Sequence, residues 1–201
     1  MKNAGALGWS EVGTGEAALI QRCTAGEESA CAELVASHER MVFQLALHLL
    51  GDRDEALDLS QEVFLRVFRT LPSFRGQSAL KTWIYRIAIN QARNRQRWWR
   101  RRRRSDQVQL EQHVLDHGDL QQPGDADAPD RALARKEMAA CLWAALDALP
   151  FDQRTVIVLR EIDGLSYEEI AESLGVAVGT VKSRLTRARQ SLRHQLNEVR
   201  G

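Results

Sequence analysis

Between Arg93 and Arg104 the chain carries eight arginines and no acid, and between Ser105 and Asp130 it carries seven acids and no lysine or arginine. Neither block can enter an apolar core, because an unpaired buried charge is too costly. The chain must therefore fold on either side of them. The formal net charge of +1 conceals this asymmetry. A basic block of this kind suits a polyanion-binding surface, and the acidic stretch reads as a connector. Residues 105–130 are rich in Gln, Asp, Gly and Pro and poor in apolar side chains. They are expected to form a disordered linker. The placement of the two flanking domains is then set by a partner rather than by the chain itself.

Outside these blocks the apolar residues recur with helical spacing, and no strand-like alternation stands out. The pattern predicts helices over 16–24, 28–50, 53–70, 78–99, 131–148, 151–162, 166–174 and 177–198. Gly51 follows an apolar run and suits a helix stop, and Asp52 or Asp54 can cap the next helix. The expected fold class is all-α, with two small helical domains joined by a flexible linker. Residues 1–15 form a glycine-containing tail, 16–104 the first domain, 105–130 the linker and 131–201 the second domain. No apolar run approaches the ~20 residues of a membrane span, and no apolar segment follows Lys2 as a secretory signal requires. Cys23, Cys31 and Cys141 lack metal-ligand spacing and read as free thiols of a reducing compartment.

The second domain carries the sharper motif. Ser166 with Glu169 forms a capping box. The helix it opens has Ile170, Ala171 and Leu174 on its apolar face, and Gly175 sits where a positive φ is useful. A further helix begins near Val178, and this order of cap, Gly turn and second helix matches the helix-turn-helix. At about 100° per residue, Val181, Leu185, Ala188 and Leu192 form one stripe that faces the core. Lys182, Ser183, Thr186, Arg187 and Gln190 point away, with Arg184 and Arg189 on the flanks. Major-groove reading requires such a basic exposed face. An ordinary solvated helix would mix both charge signs.

In the first domain, the helix from Ser78 to Trp99 has Leu80, Ile84, Ile87 and Ala88 toward the core. Arg86, Asn90, Arg93 and Arg97 form a neighbouring stripe that joins phosphate-neutralising guanidinium groups to an amide able to bond a base edge. Trp83, at the border, is either a core side chain or a stacking platform for an unpaired base. Trp98, Trp99 and Arg100 to Arg104 form either a clamp on DNA or a solubilising end. In the helix from Asp54 to Thr70, Ala56, Leu59, Val63, Phe64 and Val67 face inward. Asp58, Gln61, Glu62 and Leu65 share another face, where a leucine among polar residues hints at a partner surface.

These blocks resemble a known family. DEALDLSQEVFLRVFRTLPSFR, from Asp54 to Arg75, resembles sigma region 2.2. SALKTWIYRIAINQARNRQR, from Ser78 to Arg97, is similar to regions 2.3 and 2.4. ALPFDQRTVIVLREIDGLSYEEIAESLGVAVGTVKSRLTRAR, from Ala148 to Arg189, resembles region 4. On these motifs the chain is identified as a member of the extracytoplasmic-function (ECF) sigma factors of the sigma-70 family, with no counterpart of regions 1.1 or 3. The resemblance implies a non-catalytic initiation factor that directs core RNA polymerase to promoters. Asp58, Gln61, Glu62 and Leu65 would dock on core polymerase, on the β′ clamp helices, with the β subunit as a further contact. Arg86, Asn90, Arg93 and Arg97 would hold the −10 element, including its single-stranded form. Lys182, Ser183, Arg184, Thr186, Arg187 and Arg189 would engage the −35 element. Thr186 replaces the bulkier residue of some relatives, so no −35 sequence can be transferred. The resemblance also implies control by an anti-sigma factor, often membrane-anchored, and a cytoplasmic protein held at the inner membrane through that partner. It implies no cofactor, no metal and no membrane insertion of the chain itself.

Two other readings compete. A stand-alone DNA-binding regulator would share the helix-turn-helix, but it would need a ligand or receiver domain in place of the basic helix and docking face. It would also bind duplex DNA without polymerase. A nucleic-acid enzyme would need a carboxylate cluster, a GxxxxGK[ST] loop or His/Cys ligand spacing, none of which the sequence displays.

Overall fold

The computed structural model describes residues 14–105 and 129–200, with side chains described over 15–102 and 138–197. The N-terminal tail and the linker expected over 105–130 lie almost wholly outside the described residues. The elements are α1 (Thr14–Thr24), α2 (Glu28–Leu50), α3 (Arg53–Thr70), a 3₁₀ turn (Leu71–Ser73), α4 (Leu80–Ser105), α5 (Pro129–Asp147), α6 (Phe151–Ile157) with a wide turn (Val158–Ile162), α7 (Tyr167–Leu174) and α8 (Val178–Arg200). No strand occurs among the described residues.

Local chemistry fixes the boundaries. The α2 helix ends at Gly51, whose φ of 73° is left-handed and whose N–H donates to the Leu47 carbonyl. Asp52 then caps α3, its carboxylate accepting from the Glu55 N–H at 2.9 Å. Such a cap contributes about 1 kcal/mol. The α4 helix runs six residues past the expected end at Trp99, to Ser105. Arginine is a strong helix former, and the Arg102 guanidinium lies 4.9 Å from the Trp98 ring along the extension.

In the N-terminal half, α2, α3 and α4 pack around Leu34, Leu45, Leu49, Leu59, Val63, Ile84 and Ala88, all buried. Ile87 is only half-buried, and a second row on α4, formed by Tyr85, Ile89 and Ala92, is buried instead. The apolar arc of this helix is thus wider than a single stripe. In the C-terminal half, Val156, Val158 and Leu159 pack against Ile170, Val181, Leu185 and Ala188. The turn after α6 is widened, with the Asp163 N–H donating to the carbonyl of Val158 at 3.0 Å. All three cysteines are free thiols. Burial pushes the Cys23 thiol up to about 11, which keeps it protonated and unreactive at neutral pH.

The two halves are packed on one another, whereas the sequence alone left their placement to a partner. Contacts between the halves, among them the three that follow, explain the difference. The buried Arg154 guanidinium donates to the Leu49 carbonyl at 3.0 Å. The His48 ring stacks on Trp143 with centroids 4.8 Å apart. The Asp163 carboxyl is set against the Tyr85 hydroxyl. None of these pairings is local in sequence, so periodicity could not reveal them.

Candidate nucleic-acid interface and partner-docking face

The helix-turn-helix is assembled from α7 and α8. The Ser166 hydroxyl accepts from the Glu169 N–H at 3.1 Å, and the Glu169 carboxylate accepts in return from the Ser166 N–H at 2.7 Å. These bonds hold the Glu169 carboxyl below its ordinary range, the backbone donor contributing most. Gly175, with a φ of 65°, closes α7, and the Val176 N–H reaches the Ala171 carbonyl at 3.0 Å. This αL turn redirects the chain into α8.

The α8 helix buries Val181, Leu185 and Ala188, with Leu192 half-buried beyond them. Lys182, Ser183, Thr186 and Arg187 are exposed on the opposite side. The hydroxyls of Ser183 and Thr186 donate to the carbonyls of Thr180 and Lys182. Lys182 lies over the Tyr167 ring, its Nζ 5.8 Å from the centroid. The flanking arginines are already engaged. Arg184 pairs with Asp152 at 2.8 Å and Arg189 with Glu161 at 2.6 Å.

On α4, Arg86, Asn90 and Arg97 are exposed and Arg93 is half-buried, so the stripe lies along the outside of the N-terminal bundle. Two of its members touch the C-terminal half. Arg86 donates to the Glu172 carbonyl at 2.6 Å, and Arg93 donates to Asp152 at 3.1 Å. The Arg93 guanidinium also lies 5.6 Å from the Phe151 ring centroid. Trp83 is half-buried, its ring 5.0 Å from Phe74 and tilted by 47°, so it combines a core contact with an accessible edge. Trp98 is exposed, while Trp99 packs against the core.

Asp58, Gln61, Glu62 and Leu65 lie together on the outer face of α3, and Leu65 is 57% exposed. Leu57, on the same helix, is 44% exposed. Arg95 of α4 reaches across to pair with both Glu55 and Glu62, each at 2.6 Å. The result is an acidic face with leucines in it, braced from the neighbouring helix.

Sequence reasoning missed Arg154, Asp152, Tyr85 and Asp163. Arg154 follows Asp152 and Gln153 and precedes Thr155, so nothing in its immediate neighbours signals burial. Tyr85, Ile89 and Ala92 follow helical spacing and could have been read as a second apolar row. The partners of Asp152 and Asp163 have no local signature. Burial pushes the Asp163 carboxyl up to about 6, with the Tyr85 hydroxyl and Lys81 opposing the shift. Burial likewise pushes the Tyr85 hydroxyl up, and Asp163 reinforces that.

Among the described residues, no helix is long and apolar enough to cross a membrane. The family profile for sigma-70 region 2 matches residues 34–105, and that for sigma-70 region 4 matches 139–192. The chain is 39% identical over 174 residues to the RNA polymerase sigma-H factor of Pseudomonas aeruginosa, covering 87% of this chain and 90% of that protein. It is 35% identical over 182 residues to the ECF RNA polymerase sigma-E factor of Escherichia coli, covering 90% and 94%. Among solved structures, it is similar to the sigma factor RpoE of Bartonella quintana in complex with the anti-sigma factor NepR. That match has a TM-score of 0.65 and 29% identity, covering 83% of this chain and 96% of that one. CnrH in complex with the cytosolic domain of CnrY is also similar, at a TM-score of 0.64 and 25% identity over 90% and 96%. With both family regions in order on one all-helical chain, and relatives matched over nearly their whole length, the chain belongs to the extracytoplasmic-function sigma factors of the sigma-70 family.

Proposed function

We propose that this chain binds core RNA polymerase through the α3 face and directs it to promoters by reading a −10 element with α4 and a −35 element with α8. The observation that carries the reading is the division of surfaces. An acidic, leucine-bearing face and two basic faces sit on three different helices, each held outward by its own apolar row. Asp58, Gln61, Glu62 and Leu65 contact the β′ clamp helices, with the β subunit a further contact. Asn90 bonds an unpaired −10 base while Arg86, Arg93 and Arg97 hold phosphates. An unstacked base costs a few kcal/mol to expose, so it needs such partners. Lys182, Ser183, Thr186 and Arg187 enter the −35 major groove, and Arg184 and Arg189 serve its backbone. Phosphoryl-transfer chemistry stays with the polymerase, and this subunit supplies recognition and strand separation. The Bartonella quintana relative is complexed with an anti-sigma factor. That supports control of this chain by an anti-sigma factor, in the cytoplasm or held at the inner membrane through it.

The test is transcription in vitro with core polymerase on a randomised promoter library, which reads activity and consensus together. Wild-type protein yields a discrete consensus. Absence of core-dependent initiation would refute the reading. Reversing the charge of Asp58 and Glu62 to lysine lowers core affinity by about tenfold or more, since like charges at an interface cost several kcal/mol. The helical circular dichroism stays that of wild type. Wild-type core affinity in this variant would remove α3 from the interface.

The two classes of α8 residue separate on mutation. Arg187→Ala costs about 1–3 kcal/mol on the preferred −35 sequence and relaxes preference at one or two positions. Arg189→Ala weakens all sequences alike and lowers the salt slope by about one. Library profiles at two salt concentrations decide this. A changed base preference for Arg189→Ala with none for Arg187→Ala would reverse the assignment.

A further inference from the structure

We infer that Arg95 is a positioning residue for polymerase docking: from α4 it holds the Glu62 carboxylate of α3 in the geometry that the polymerase meets. The inference rests on the α3 docking reading proposed above. The contacts themselves do not. One Arg95 nitrogen, Nη1, donates to the Glu55 carboxylate at 2.6 Å and to the Glu55 carbonyl at 3.1 Å. The other, Nη2, donates to Oε1 of Glu62 at 2.6 Å. Glu55 and Glu62 stand two helical turns apart on α3, so they share one face. Asp58 lies between them on that face and is exposed.

The burial of the pair is uneven, and that decides which group holds the other. The Arg95 side chain is 17% exposed and that of Glu62 50%. The guanidinium is anchored on Glu55, the less exposed of its two acids, and is in place before any partner arrives. Glu62 is tethered to it by one oxygen. Its second oxygen bonds no group among the described residues. An untethered glutamate on an open helix face samples several rotamers, and docking would have to select one of them at an entropic cost. Arg95 makes that selection beforehand. The face stays acidic despite the added cation, because α3 has three acids and no base from Glu55 to Leu65. A cationic group of the polymerase is thus offered the free oxygen of Glu62 and the Asp58 carboxylate together. Arginine suits the role because its planar fork reaches two carboxylates with separate nitrogens, whereas lysine is a point charge. Arg95 also belongs to the helix that carries Asn90, so the docking carboxylate is fixed relative to the proposed −10 helix.

The test measures the affinity of the full chain for core polymerase by fluorescence anisotropy. The chains are wild type, Arg95→Met, Arg95→Lys, Glu62→Gln, and each Arg95 variant combined with Glu62→Gln. Arg95→Met keeps the apolar stem and removes the fork. It lowers core affinity by about fivefold alone, and by less than about twofold when Glu62 is already Gln, because the two residues act as one unit. Arg95→Lys recovers part of the loss, since it keeps the charge and reaches only one of the two carboxylates. In transcription, Arg95→Met raises the chain concentration at half-maximal initiation and leaves the plateau in place. A residue that merely held α4 in shape would lower the plateau.

Wild-type core affinity for Arg95→Met overturns the inference. So does an equal loss with and without Glu62, or a lowered plateau. Should Arg95→Met lose its helical circular dichroism, Arg95→Lys carries the same cycle, and a loss that ignores Glu62 counts against the role. Failure of the docking reading registers separately: the chain with Asp58 and Glu62 reversed to lysine would then keep wild-type core affinity. Failure of the Arg95 role alone leaves that chain impaired.

Discussion

Leu185→Asp unfolds the C-terminal helices and leaves the N-terminal bundle standing. Leu185 is 1% exposed and lies between Val181 and Ala188, both fully buried, on the inner stripe of α8. A carboxylate placed there has no cation to pair with on that stripe. Burying it costs several kcal/mol, and neutralising it by protonation costs a comparable amount at neutral pH. A unit of about 60 residues has a total stability of roughly 3–9 kcal/mol. The substitution is thus large enough to consume most or all of it. Leu34, Leu59, Val63 and Ile84, contributed by α2, α3 and α4 alone, are all fully buried, so the N-terminal bundle has its own reason to persist. Limited proteolysis checks this. A resistant fragment ending near the arginine block is expected, together with partial loss of helical signal. Complete digestion would mean that the two halves fold as one cooperative unit.

Arg154→Ala lowers global stability by about 3 kcal/mol, in the range seen when one partner of a buried ion pair is removed. The Arg154 guanidinium is 5% exposed. It pairs with the Asp147 carboxylate at 2.6 Å and donates to the Leu49 carbonyl across the two halves at 3.0 Å. Desolvation pulls its pKa down, with the Asp147 charge opposing the shift. The guanidinium stays protonated regardless, because arginine starts so high. Truncation leaves the Leu49 carbonyl and Asp147 without their donor and opens a cavity. Arg154→Met restores the apolar stem and loses less than Arg154→Ala. Urea unfolding of the two variants measures the difference. A wild-type midpoint for Arg154→Ala would show that the buried charge contributes nothing net.

The boundaries of the helices, and most of what faces inward, were legible in the sequence because they depend on neighbours a few residues away. The capping box of Ser166 and Glu169, the αL turn at Gly175 and the Asp52 cap are formed by groups within five residues of one another. The inner stripe of α8 follows from a 100° rotation per residue, and the same rotation places Lys182, Ser183, Thr186 and Arg187 outward. The α3 face was read in the same way.

What only the tertiary structure decided is which of these outward groups are engaged and by what. Arg184 and Arg93 were read as two phosphate contacts on separate elements, yet they meet at Asp152. Glu62, read as a docking acid, is also braced by Arg95 from α4. Tyr85 sits one residue before an exposed arginine and is nonetheless buried. Helical periodicity tells a residue's angle on its own helix but not what stands opposite it. The opposing groups here lie 32 to 105 positions away along the chain, and at such separations only packing brings a guanidinium to its partner.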